Sequence, residues 1–146
     1  MIRFNEDLFS ILYNEALKGS CLYRKYAAAI VKNETVFGIG HAQTVNKAPC
    51  IVCNRMDKIQ KYGEISEFFE ECPVVHAEVC AILNTNQRTD LKGSELYLLG
   101  VVVKDGSVYE KAFPCPTCFH VIQYSGIQAI NTFQSNMSIL RTEVSL

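Results

Sequence analysis

The sequence predicts an α/β fold in which a mixed β-sheet packs against helices on its faces. The order of apolar segments along the chain reads helix, two strands, helix, strand, helix, strand, and this alternation is typical of that class. The chain of 146 residues is about as long as one domain. With no internal repeat or linker in view, we expect a single domain over residues 1–146.

The first half of the chain predicts a helix followed by a hairpin. Apolar residues at a helical period predict a helix over residues 5–18, and Gly19 follows as a C-terminal cap. Apolar runs at 27–31 and 36–42 flank a short polar turn, which indicates a β-hairpin. The region from Gln43 to Pro73 then predicts a long connection with one helix around residues 54–62. A connection of that length usually carries function or needs an anchor of its own.

The second half supplies the remaining elements. A helix is predicted to open near residue 76 and to end near 83. A strong strand pattern covers 95–103, and the Lys-Asp-Gly-Ser sequence at 104–107 predicts a turn. A helix over 116–124 has a proline at its start and Gly126 after its end. Residues 127–133 predict the last clear strand.

Composition excludes several classes of function. Fourteen Lys and Arg against fifteen Asp and Glu leave a net charge of −1. A chain so balanced lacks the basic surface of a general nucleic-acid binder, so we expect no nucleic-acid partner. The longest uncharged stretch, 112–140, is interrupted by proline, glutamine, asparagine and serine, which argues against a membrane span. We therefore expect a soluble, cytoplasmic protein with a small-molecule partner.

The seven cysteines are the unusual feature of the composition. Their number is odd, and the sequence begins without an apolar signal segment. Both observations argue against a secreted disulfide scaffold. Metal ligands or buried reduced thiols are the better interpretations.

Two motifs carry the chemistry. The first is His76-Ala77-Glu78, and the second is Pro114-Cys115-Pro116-Thr117-Cys118. Two cysteines two residues apart can bind one metal from the first turn of a helix, and one imidazole adds a third ligand. Zinc held by three protein ligands keeps a fourth position for water, as catalytic zinc sites do. Glu78 is then better placed beside the metal as a proton carrier than as a ligand.

With these motifs the chain resembles the cytidine and deoxycytidylate deaminase superfamily, and within it the deoxycytidylate (dCMP) deaminase-like branch. The resemblance covers about residues 5 to 133. It is carried by the two motifs and by the segments His76–Ile82, Ser20–Val31, Leu96-Tyr97 and Ser125-Gly126-Ile127.

The resemblance implies a three-layer α/β/α fold with a mixed sheet of about five strands and helices on both faces. It implies catalytic zinc on His76, Cys115 and Cys118, with Glu78 as the proton shuttle of a hydrolytic deaminase. The implied substrate is a small cytosine-containing nucleotide or nucleoside such as dCMP or CMP, converted to the uracil product and ammonia. It also implies a homo-oligomer.

A second, structural zinc is a further hypothesis. Cys50 and Cys53 repeat the two-residue spacing, and Cys72 follows them. Three thiolates plus one more donor would close a tetrahedral site, with His41 or Cys21 as the fourth ligand. The alternative is that these cysteines are buried free thiols. Cys80 is interpreted as a packing residue, and so is Cys21 if it binds no metal.

Substrate recognition is less sharply predicted. Family members that act on nucleotides place an asparagine just after the Gly-x-Gly of the second strand, whereas Gly38-Ile39-Gly40 here is followed by His41-Ala42-Gln43. The candidate substrate contacts are Phe37, His41, Gln43, Ala77, Phe113 and Pro114. Candidate phosphate partners are Arg24, Lys25, Lys47, Arg55, Lys58 and Lys61, although most such cations are simply solvated.

Three alternatives remain open at this point. The substrate can be a free base or another aminated heterocycle, such as a purine or pterin. The chain can be a tRNA-editing deaminase, which shares both motifs but needs a basic surface. It can also be a non-catalytic zinc module, although Glu78 is intact.

Overall fold

A computed structural model of the chain describes residues 4–62, 72–86 and 90–145. The described residues form four helices and seven strands. They are α1 (Phe4–Ala16), β1 (Arg24–Lys32), β2 (Thr35–His41), β3 (Gln43–Thr44), α2 (Asn54–Tyr62), β4 (Val74–Val75), α3 (Ala77–Leu83), β5 (Glu95–Val102), α4 (Pro116–Tyr124), β6 (Ala129–Phe133) and β7 (Ile139–Glu143).

Five of the strands form one mixed sheet in the order β2-β1-β5-β6-β7. The β1–β2, β1–β5 and β6–β7 pairs are antiparallel. The β5–β6 pair is parallel, because α4 carries the chain back across the sheet between these two strands. The prediction of a mixed sheet of about five strands is confirmed. The two-residue strands β3 and β4 pair separately, just before α3.

The alternation of side chains along β1 divides the core into two layers. Ala27 and Ala29 face α1 and pack in a cluster with Leu99. Ala28 and Ile30 face the other way and pack in a cluster that contains residues of α3 and α4. Helices therefore cover both faces of the sheet, and the predicted three-layer α/β/α arrangement is confirmed.

Two glycines of β2 bring α3 directly onto the strand. A Cβ atom at Gly38 would lie 2.4 Å from the Ala81 carbonyl oxygen, and one at Gly40 would lie 2.7 Å from the Ala81 nitrogen. Only a residue without a side chain allows so close an approach. The Gly-x-Gly of β2 therefore sets the position of the helix that carries Glu78.

The structure differs from the prediction at the end of the chain. The final strand, β7, was not predicted. It is an edge strand with mostly exposed side chains, so it lacks the apolar run that marks a buried strand. At 104–107 the chain turns as predicted, but the returning segment makes only one bridge, between Val101 and Val108.

Among the helices of the described ranges, none is long and apolar enough to cross a membrane.

Candidate metal and active site

The N-terminal ends of α3 and α4 meet at one point and present the two motifs. His76 is the N-cap of α3 and Cys115 is the N-cap of α4, both with extended backbone. Their carbonyls accept the first helical hydrogen bonds, from Cys80 at 3.0 Å and from Phe119 at 2.8 Å. Pro116 suits the first position of α4 because the amide hydrogen that it lacks has no partner there.

Three donor atoms converge between these helix ends. His76 Nδ1 lies 3.6 Å from Cys115 Sγ and 3.3 Å from Cys118 Sγ. A tetrahedral zinc ion with ordinary bond lengths separates its nitrogen and sulfur ligands by about 3.6 Å. The three donors therefore fit zinc. In the described part of the chain this is the one group of three or more potential ligands whose donor atoms lie within 4.8 Å of one another.

The surroundings of Cys118 favour a bound cation. This side chain is only 3% exposed. Burial, followed by the negative charge of Glu78, raises the pKa of the Cys118 thiol far above its usual range. A cation between the sulfur atoms reverses this effect, because it stabilises the thiolate directly. The Cys118 thiol is therefore poorly suited to ionise unless a cation lies beside it.

Glu78 lies beside the three donors in the first turn of α3 and is 5% exposed. Burial raises the pKa of its carboxyl, although hydrogen bonds from its own backbone amide and from the Cys118 thiol oppose the rise. A raised pKa makes a carboxyl group a better proton acceptor while it can still donate the proton again. This is the environment that a general acid–base needs.

Gln43 and Cys80 support the segment that leads into His76. Gln43 pairs with Val75 across the β3–β4 ladder, and its side chain hydrogen-bonds the Cys80 thiol. The Cys80 sulfur in turn lies 3.8 Å from the Val75 carbonyl oxygen. Cys80 is buried, as its interpretation as a packing residue implies. Its contacts also fix the residue that precedes the imidazole.

A cluster of one cation and two phenols lies next to these residues. The Arg24 guanidinium lies 4.0 Å from the centre of the Tyr109 ring and hydrogen-bonds the Tyr26 side chain. Tyr26 and Tyr109 pack against the core layer that contains Ala77. The sequence indicates Arg24 as one of the candidate phosphate partners, but it does not single out Tyr26 or Tyr109 as residues near the site. The available signal was the spacing of Arg24 and Tyr26, which places both side chains on one face of a strand.

Four of the candidate substrate contacts lie near the three metal-binding donors. Gln43 contacts Cys80, one turn of helix after His76, and Ala77 follows His76 directly. Pro114 is buried beside Cys115. Phe113 is 50% exposed and stacks on Phe119, with ring centres 6.1 Å apart.

The structure does not bring the other two candidate contacts, Phe37 and His41, to the site. His41 pairs with Ala27, which belongs to the layer under α1, and its Nδ1 lies 2.5 Å from a Glu15 carboxylate oxygen. Phe37 precedes Gly38, which packs against Thr85 at the C-terminal end of α3, the end opposite His76. His41 is separated from the three potential metal ligands because its side chain points to the other face of the sheet, and Phe37 because it lies at the far end of the strand.

His41, a candidate ligand of the second predicted zinc, contacts Glu15 through Nδ1, and no group of three or more potential ligands within 4.8 Å includes it in the described ranges. Cys50, Cys53 and Cys72 do not bring their sulfur atoms within 4.8 Å of one another as a group. The cysteines are close enough to influence one another. The pKa of Cys50 is raised first by burial and then by the nearby Cys21, Cys72 and Cys53. Cys21, the other candidate for the fourth ligand, is thus close enough to Cys50 to act on its pKa.

The sequence matches the family model described as the cytidine and deoxycytidylate deaminase zinc-binding region over residues 2–134. No protein with a curated description matches it.

Solved structures resemble the fold at low sequence identity. The dCMP deaminase from the cyanophage S-TIM5, solved without ligand, superposes with a TM-score of 0.62 at 19% identity, covering 91% of this chain and 85% of that one. The same phage enzyme solved in complex with dCMP and dUMP gives 0.60 at 19% identity, with 90% and 82% covered. Cytidine deaminase from Burkholderia pseudomallei gives 0.54 at 16% identity, with 99% and 94% covered.

Proposed function

The chain belongs to the cytidine and deoxycytidylate deaminase zinc-binding family, and from this premise we propose that it deaminates a small cytosine-containing nucleotide or nucleoside such as dCMP or CMP. The products are the uracil compound and ammonia. The observation that carries the proposal is the convergence of His76, Cys115 and Cys118 beside the buried carboxyl of Glu78.

Zinc in this site supplies a Lewis acid that makes water nucleophilic near neutral pH. His76, Cys115 and Cys118 would hold it, and the starts of α3 and α4 fix the spacing of these three side chains. Glu78 takes one proton from water as the C4–O bond forms, and delivers it to N3 of the pyrimidine. It then carries the remaining hydroxyl proton to the amino nitrogen as the C4–N bond breaks and ammonia leaves. One carboxyl that alternates between base and acid is sufficient.

Two observations favour a small substrate over a polynucleotide. The net charge of −1 provides no extended basic surface. The phage enzyme of similar fold was solved with dCMP and dUMP, which are single nucleotides. Free bases and other aminated heterocycles remain the second candidates, because Gly40 is followed by His41-Ala42 without the asparagine that nucleotide deaminases of the family usually carry there.

The test is a comparison of Glu78→Gln with a matched change at an exposed carboxylate, Glu110→Gln. Ammonia release is measured on dCMP, deoxycytidine and cytosine with zinc present. We expect Glu78→Gln to lose about 1,000-fold in kcat and to keep its zinc and its thermal transition. Glu110→Gln should behave as wild type. Turnover retained by Glu78→Gln contradicts the mechanism, and no turnover of any of the three substrates by wild type contradicts the proposed function.

We further propose that Cys21, Cys50, Cys53 and Cys72 bind a second, structural zinc. Their segments are held together, since the Cys50 amide donates to the Ser20 carbonyl at 3.3 Å and the Val45 amide to the Pro73 carbonyl at 3.0 Å. Four thiolates satisfy tetrahedral zinc and would anchor the long connection after β3.

Metal analysis of the purified protein tests this second site. Two zinc ions per chain, reduced to one in Cys53→Ser with catalysis retained, are the expected result. One zinc per chain in wild type contradicts the proposal.

A further inference from the structure

We propose that the edge strand β7 binds the β7 strand of a second copy of this chain, side by side and antiparallel, with Thr142 on the twofold axis. The two five-stranded sheets then join along their edges into one continuous sheet. The partner is the protein itself, and the interface is the free edge of its sheet. The inference goes beyond the proposed function and does not depend on it.

The outer edge of β7 offers backbone donors and acceptors to a partner. The Val144 amide donates to the Gln128 carbonyl at 2.9 Å, on the side of β6. Backbone groups alternate in direction along an antiparallel strand, so those of Ile139, Arg141 and Glu143 point away from β6. In the part of the chain that the structure describes, no strand lies on that side. Such a row of free groups is a template for pairing with another chain.

The two edges of the sheet are built differently. At β2 the pairing with β1 shifts, so that Phe37 is an extra residue between Val36 and Gly38. A bulge of this kind bends an edge strand and turns it away from further pairing. β7 pairs with β6 without a shift from Ile139 to Glu143, and it contains neither glycine nor proline. β7 is therefore the edge that is suited to accept another strand.

The charges of β7 select one register for this pairing. Arg141 lies on the same face of the strand as Glu143 and contacts both Glu143 and Glu95 of β5. With Thr142 on the axis, Arg141 of each copy lies opposite Glu143 of the other copy, which gives two ion pairs. With Arg141 or Glu143 on the axis, like charges would lie directly opposite each other, and such pairs are destabilising. The charge pattern of β7 is thus complementary to itself when Thr142 is central.

The other face of β7 is complementary in the same register. Leu140 is 62% exposed, and Val144 packs against the core layer that contains Ala77. With Thr142 on the axis, Leu140 of each copy lies opposite Val144 of the other copy. Residues directly opposite in an antiparallel pair have Cβ atoms about 4.5–5.5 Å apart, so these two apolar side chains are in contact. The register that pairs the charges therefore also covers the exposed leucine.

This interface lies away from the three potential metal ligands. α3 packs on β2 and β1, at the edge of the sheet opposite β7. Within the described ranges, no residue of β7 belongs to the group formed by His76, Cys115 and Cys118. Self-association and turnover can therefore be measured independently of each other.

Sedimentation velocity of the full chain tests the proposal. One strand edge makes a small interface, so we expect a dimer that dissociates reversibly at concentrations of about 1–100 µM. Glu143→Arg and Arg141→Glu should each weaken the dimer about 10- to 100-fold, because each places like charges opposite one another at two points. An equimolar mixture of the two variants should restore association, since every charge then lies opposite one of the other sign. Asp7→Arg, a control on the exposed face of α1, should match wild type.

Three results overturn the interface. They are wild-type protein that stays monomeric over the whole concentration range, Glu143→Arg that associates as wild type does, and a mixture of folded variants that stays monomeric. Thermal unfolding shows whether Arg141→Glu is folded, since this variant loses the contact with Glu95. Glu143→Arg keeps that contact and decides the proposal alone if Arg141→Glu does not fold. Wild type that dimerises but releases no ammonia contradicts the proposed function and leaves the interface standing.

Discussion

Replacing Gly40 by alanine should damage catalysis through the position of a helix, without removing any reacting group. The new Cβ atom would lie 2.7 Å from both the Ala81 nitrogen and the Cys80 Cβ atom. Ordinary contact between such atoms is about 3.5–4.0 Å. The backbone of α3 must therefore retreat from β2 by roughly 1 Å, because backbone atoms cannot rotate out of the way as a flexible side chain can.

That retreat would be large on the scale of the site. α3 carries His76 and Glu78, whereas Cys115 and Cys118 belong to α4 and stay behind. Metal–ligand distances tolerate changes of about 0.2 Å, and a 1 Å error in a catalytic group costs about 100-fold in rate. We expect Gly40→Ala to lower kcat about 100-fold and to weaken zinc binding. Overpacking should also cost about 1–3 kcal/mol of stability.

The assay separates position from stability. Zinc affinity by chelator competition, kcat at saturating substrate and the free energy of unfolding are measured on Gly40→Ala and on Gly19→Ala. A Cβ at Gly19 would lie 3.0 Å from the Ala42 oxygen and 3.1 Å from the Ala16 oxygen, a tight contact at the end of α1. This control should lose stability and keep its zinc and kcat. Wild-type kcat and zinc affinity in Gly40→Ala would refute the reasoning.

Three further predictions concern single side chains. Cys118→Ser should abolish zinc binding at the catalytic site and activity with it, as measured by metal content, because a serine hydroxyl is a poor substitute for a thiolate ligand. The second prediction concerns Glu15. Burial raises the pKa of its carboxyl, but hydrogen bonds with His41 and Lys18 outweigh burial and leave this pKa below its usual 4.5. Glu15 therefore stabilises the fold above that pH, so denaturation of Glu15→Gln should show a loss of about 1 kcal/mol at pH 7 that shrinks as the pH falls below 4.5. Leu99→Ala should cost about 2–5 kcal/mol in urea unfolding yet leave zinc content unchanged, since this fully buried residue packs on the α1 side of the sheet.

The group of three potential metal ligands could be predicted from the sequence because most of its geometry is local. Cys115 and Cys118 belong to one helical turn, and His76 caps a helix whose apolar pattern is visible in the sequence. Only the contact between the starts of α3 and α4 depends on the tertiary fold. The resemblance carried by the two motifs together already implied that contact. The same holds for β1 and β2, whose apolar runs flank a short turn.

Contacts between distant segments could not be predicted in this way. The stacking of Arg24 on Tyr109 joins β1 to the segment after β5, and nothing in either segment points to the other. The pairing of His41 with Glu15 likewise joins β2 to α1. An unassigned histidine near a Gly-x-Gly motif was therefore interpreted as a ligand or substrate contact, when its partner is a carboxylate one layer away.

The alternation of side chains along β2 explains which candidate substrate contacts reach the site. It also explains the consequence of having no asparagine at the end of this strand. Side chains of β2 alternate between layers, so Gly38 and Gly40 face α3. The next side chain on that face belongs to Ala42, which is buried in the same core layer as Ala77, whereas His41 points to α1. A methyl group cannot hydrogen-bond a sugar, and no replacement at His41 would restore the contact from the wrong face. Affinity for a nucleoside or nucleotide must then come from contacts elsewhere around the site. Ala42→Asn should therefore raise affinity for deoxycytidine and leave affinity for cytosine unchanged, and an unchanged ratio of the two would show that this strand end does not meet the sugar.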